Sequence, residues 1–97
     1  MMSRDEIFSK LNSIFDCYKN AHSNIEYVDF VNKKTEFKTS VRASLMVQDC
    51  NVIDALISGE IDNEQYQNIL ANNAATRNAI MRDIDDTIMQ FEHMVWG

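Results

Sequence analysis

Apolar residues recur along this chain at intervals of three and four, and the stripes they form predict helices over most of its length. The first stripe is Ile7, Leu11, Ile14, Phe15 and Tyr18. It follows Ser3-Arg4-Asp5-Glu6, a capping box in which the serine hydroxyl meets an orphan amide and the glutamate reaches back to the cap. A helix is expected over about residues 4–20, ended by the polar cluster from Asn20 to Asn24. From Ile25 to Val31 the spacing favours a helix, although the β-branched and aromatic content also suits a short strand. Asn32, Lys33 and Lys34 can continue a helix or interrupt it, so the start of the next element lies at Asn24 or at Thr35. Beyond it, Phe37, Val41, Leu45, Gln48, Val52 and Leu56 step by four and three until Gly59, which reads as a C-terminal stop. One helix or two are therefore expected over about 24–58, followed by a turn at about 59–62.

Ile61-Asp62-Asn63-Glu64-Gln65-Tyr66 carries the clearest local signal. Asp62 is an N-cap with Gln65 in capping-box register, and Ile61 and Tyr66 stand at the two ends of a hydrophobic staple. The stripe that follows, from Tyr66 through Ile69, Leu70, Asn73, Arg77, Ile80, Ile84, Ile88 and Phe91 to Val95, meets no glycine or proline. A helix over about 63–95 would be about 50 Å long. The expected fold class is all-α: a short N-terminal helix packed on a long antiparallel hairpin, as a single domain.

So short a connection places opposite one another those residues whose numbers add to about 121. In that register Lys33, Lys34, Lys38 and Arg42 face Asp83, Asp85 and Asp86, a charge match that reads as mutual neutralisation in preference to a docking patch. Ser44 meets Arg77 and Gln48 meets Asn73, a polar layer within two apolar stripes. Arg77 leans towards Asp49, where a pair would fix helix register. The alternative is an anion site of Arg42, Ser44, Gln48, Asn73 and Arg77 able to hold a phosphate or nucleotide. Finally, the central helix carries a second apolar stripe: Ala43, Met46, Cys50, Ile53 and Ile57. A hairpin covers only one stripe. Eight of the nine aromatics fall at the open end of the hairpin and only Tyr66 near its tip, so the core is expected at the base. The uncovered stripe then calls for another chain, and two copies are expected to associate as a homodimeric bundle.

Composition narrows this picture. The chain has 97 residues, no proline and two glycines, where average usage gives roughly five and seven. Apolar residues are 45% and charged residues 25%, the balance of a folded domain and not of a disordered acidic tail. A net charge of -6 argues against direct binding to nucleic acid or to anionic membranes. The acidic start and the lack of a long apolar run give no signal peptide or membrane span, and a cytoplasmic location is expected. Cys17 and Cys50 read as thiols.

Candidate chemistry is sparse. His22 and His93 lie in no metal-ligand spacing, and one internal glycine cannot build a phosphate loop. Small all-helical pyrophosphohydrolases hold magnesium through acids on facing helices. Glu26 with Asp29, Glu60 with Glu64, and Asp83 with Asp86 are the candidates for that role, but Asp62 and Glu64 belong to a cap and first turn and Asp83 to Asp86 face lysines in this register. No metal, no cofactor and no catalytic residue is therefore expected. Met46, Met81, Met89 and Met94 fit core filling better than a plastic binding surface. Trp96 either docks on the base or anchors an interface. The reading that results is a non-catalytic, acidic protein–protein interaction module: an adaptor, a chaperone or an inhibitor, a class that includes viral counter-defence inhibitors of nucleic-acid-handling enzymes. Its interface candidates are Met46, Cys50, Ile53, Ile57, Tyr66 and Trp96. A binder that sequesters an anionic nucleotide stands second, and a magnesium-dependent hydrolase third.

Overall fold

A computed structural model describes residues 2–97 as four helical segments and, among those residues, no strand: α1 (Arg4–Tyr18), α2 (Asn24–Leu45), α3 (Val47–Ile57) and α4 (Asn63–Trp96). Local chemistry explains the starts of α1, α2 and α4. The Ser3 hydroxyl accepts from the Glu6 amide. Ser23 and Glu26 form a full capping box at α2, and Asp62 and Gln65 form another at α4. The box at Ser23 settles the open question of α2, which begins at Asn24 and continues through Asn32-Lys33-Lys34 without a break. At the far end of α3, Gly59 adopts φ +82°. Its amide donates to the Leu56 carbonyl and the Glu60 amide donates to that of Ala55, the paired bonds of a Schellman motif that only a residue free to enter the left-handed region closes without strain.

Together α2 and α3 form one long bent helix. The bend falls at Met46 (φ -76°, ψ -11°), where the Asp49 amide donates to the carbonyl three residues back in place of four, a local tightening of the helix. Beside it, the Met2 amide donates to the Ser44 hydroxyl at 3.1 Å. The chain entering α1 is thus tied to the hairpin just below the bend, and the cover that α1 provides ends there.

The core lies entirely on the base side of that point. Ile7 and Leu11 of α1, Phe30, Phe37, Val41 and Leu45 of α2, and Met81, Ile84, Ile88 and Phe91 of α4 form one buried cluster. Aromatic rings fill its lower end: Phe15 stacks on Phe91 with centroids 4.1 Å apart, and Phe30 packs against Phe91 at 5.3 Å. Trp96 docks on the same cluster, edge-on to Tyr27 and tilted on Phe30. The pairing of Phe30 with Phe91 is the one expected from the hairpin register.

Distal to the bend, α3 and the facing part of α4 run as a two-helix arm, and α3 contributes no buried residue. Val52, Leu56, Tyr66, Ile69 and Leu70 are only half-buried, because two helices exclude water from the seam between them and from nothing else. The radius of gyration, 17.1 Å, exceeds the roughly 12.5 Å of a compact chain of this length. Stability is therefore expected to be uneven. Ile84→Ala is predicted to lower unfolding free energy by about 3 kcal/mol and Leu56→Ala by about 1 kcal/mol or less. In hydrogen exchange, amides of residues 47–75 are expected to exchange well before those of residues 81–91; uniform protection would contradict this division.

Candidate functional site

The arm carries the features most suggestive of function. On the outer side of α3, Met46 and Val47 are each 47% exposed, Ile53 41% and Ile57 79%, and Cys50 is an exposed thiol. Steps of four, three and four from Met46 to Ile57 keep one ridge beside, not on, the seam with α4. These are four of the six interface candidates. Of the other two, Tyr66 is half-buried near the tip, and Trp96 packs on the base core instead of standing on an open face. Val47 is also exposed, but it stands about a quarter-turn round the helix from that ridge.

The polar layer forms as the register requires. Arg77 Nη1 lies 3.2 Å from Asp49 Oδ2, and Asn73 Nδ2 donates to Asp49 Oδ1 at 3.3 Å. Only 18% of the Arg77 side chain and 22% of that of Asp49 reach water. Gln48, Asn73 and Arg77 line a small cavity of about 110 Å³ together with Arg4. Arg42 is exposed and stands outside that cavity, and the Ser44 hydroxyl is taken by the Met2 amide. Arg77 is thus neutralised internally, and the hollow is well below the roughly 300 Å³ at which ligand pockets begin.

Other charges pair across the hairpin with partial exchange of the expected partners. Lys38 meets Asp85. Lys34 reaches Glu92, which also accepts from the Tyr27 hydroxyl at 3.1 Å. Asp83 is held by Arg4 at 2.8 Å, whose guanidinium also lies over the Phe8 ring. Arg4 was hidden from sequence reasoning because its contact with Asp83 spans nearly the whole chain. Lys33, Arg42 and Asp86 enter no ion pair among the described residues.

At the base, His22, Tyr27, Met89, Glu92, His93 and Trp96 line an open hollow of about 600 Å³. The Trp96 indole N–H is buried and has no hydrogen-bond partner. Among the described residues, no three histidine, cysteine, aspartate or glutamate side chains converge as a metal site would require. Glu26 is held below the usual carboxylate range, first by the Ser23 hydroxyl and then by the His22 and Ser23 amides. Asp29 accepts from the Tyr18 hydroxyl, and that bond, with burial second, pushes the phenol up to about 12. Met81 is core, whereas Met46, Met89 and Met94 are exposed. No helix among the described residues is long and apolar enough to cross a membrane.

Comparison with known protein families, with characterised proteins and with solved structures returns no match to this chain.

Two outcomes follow from this geometry. A double-mutant cycle on Asp49→Ala and Arg77→Ala is expected to give a coupling of about 1–2 kcal/mol, less than for a fully buried pair because about a fifth of each side chain stays in water. A coupling near zero would mean the pair does not set the register. For Tyr18, the folded value lies above the ordinary value of about 10, so its contribution to stability is complete below that pH and is lost as pH rises towards the folded value. Ultraviolet absorbance titration is expected to show a late tyrosine ionisation at about pH 12, and Tyr18→Phe to remove that step.

Proposed function

We propose that this chain is a non-catalytic protein–protein interaction module, of the adaptor, chaperone or inhibitor kind, and that it engages its partner through the ridge on α3. The supporting observation is the exposed series Met46, Ile53 and Ile57, with the exposed Cys50 between them, along a helix that has no fully buried residue. Leaving the ridge uncovered keeps hydrocarbon in water at a cost of about 25 cal/mol per Å². A second protein surface removes that cost, and clustered apolar exposure of this kind marks interaction sites. Asp54, Glu60, Asp62 and Glu64 surround the ridge and the tip and give the arm an acidic rim, which steers encounter and excludes strongly acidic partners.

Affinity capture from the native host tests this reading. Ile57 already stands in water, so Ile57→Glu is expected to leave the melting temperature nearly unchanged. The wild-type chain is expected to retain a protein that the variant loses. Identical captured proteins from both would remove the ridge as the binding surface.

A further inference from the structure

Charge is distributed unevenly along the chain, and the imbalance falls on the arm. Of the chain's 15 acids and nine lysines and arginines, residues 43–76 hold five acids, Asp49, Asp54, Glu60, Asp62 and Glu64, and no lysine, arginine or histidine. The rest of the molecule is close to neutral, so nearly all of the net charge of -6 belongs to the two-helix arm. Asp49 is matched by Arg77. The other four acids are exposed and enter no ion pair among the described residues.

Asp62 caps α4 and Glu64 lies in its first turn, where the helix dipole favours negative charge. Asp54 has no such explanation. It stands in the last turn of α3, where an anion is unfavourable and no cation offsets it. It follows Cys50 by four residues and precedes Ile57 by three, which makes it the surface neighbour of both. An unpaired carboxylate is thus set directly beside the apolar ridge.

We infer that the ridge takes a basic amphipathic helix of another protein, an inference that rests on the reading of the ridge as an interaction surface. The apolar stripe of that helix covers Met46, Ile53 and Ile57, and its lysines or arginines meet Asp54 and the acidic tip. At the base a third helix, α1, encloses the core with Ile7 and Leu11. The arm has the same two rods and no third, and a helix laid along them supplies it. From Met46 to Ile57 the ridge is about 16 Å long, three turns of such a helix. Charge decides the sign of the partner: a helix of either sign could cover the hydrocarbon, but only a cationic one neutralises Asp54 and is drawn in by the field of the arm. A second copy of this chain would bring the same net charge of -6 to the contact.

The test uses a synthetic helical peptide of about 14 residues with leucine at helical three-and-four spacing and lysine elsewhere, and its counterpart with glutamine in place of lysine. In fluorescence anisotropy the wild-type chain is expected to bind the lysine peptide roughly tenfold more tightly than the glutamine peptide. Asp54→Lys is expected to weaken the lysine peptide roughly tenfold, whereas Asp16→Lys, the same charge change in the exposed last turn of α1 at the base, leaves it within about twofold. Ile57→Glu is expected to weaken it as well, although that variant adds a negative charge. Absence of binding, or equal affinity for the two peptides, overturns the basic partner. Equal effects of Asp54→Lys and Asp16→Lys, or tighter binding by Ile57→Glu, reduce the contact to unspecific attraction and overturn it too. In sedimentation velocity the chain alone is expected to stay monomeric in the micromolar range; a dimer that Ile57→Glu dissociates would give the ridge to a second copy instead. These failures are separate from that of the interaction reading, which falls only if Ile57→Glu retains every protein that the wild type captures from the host.

Discussion

The contact of α1 with the lower half of the hairpin is the constraint on which the rest of the structure depends. Ile7 and Leu11 are wholly buried between α2 and α4, and Phe15 stacks on Phe91 beneath them. A third helix turns the groove between two rods into an enclosed core, since each rod can hide only one stripe from water by itself. But α1 is 15 residues long and α4 is 34. The enclosed core stops beside the first turn of α1, at the bend marked by Met46 and the bond from Met2 to Ser44.

Beyond that point the molecule follows different rules. The arm keeps its register through the seam of Val52, Leu56, Ile69 and Leu70 and through the layer of Asp49, Asn73 and Arg77. Placing an ion pair there adds little to net stability, because desolvation offsets much of the attraction. It makes a slipped alignment costly, since a shift of one turn would strand a mostly desolvated guanidinium. The same pairing occupies Arg77 and so removes it from the service of an anionic ligand. The arm is thus held in register but too thin to hide the ridge.

Much of this was legible along the chain. Cap residues, the glycine stop and the three-and-four spacing act over a few residues, and they located α1, the turn and α4 to within two residues of their observed ends. The hairpin register followed from the shortness of the turn, and with it the pairings of Phe30 with Phe91 and of Arg77 with Asp49. Other features were not legible. The box at Ser23 lies within a polar cluster that by itself reads as a turn. Arg4 reaches Asp83 across a sequence separation that no local pattern signals. Lys34 meets Glu92 and not an aspartate because a long side chain can select among acids on adjacent turns.

The sequence by itself determined that this chain is helical, where it reverses and which residues meet across the reversal, since those follow from bonds within a turn of helix and from a fixed rise per residue. Only the tertiary structure decided how far the third helix reaches. It thereby decided where along the hairpin the enclosed core stops and that Trp96 docks on the base. The physical reason is that burial belongs to neighbours and not to residues: the same isoleucine is core or surface according to what lies within about 4 Å of it.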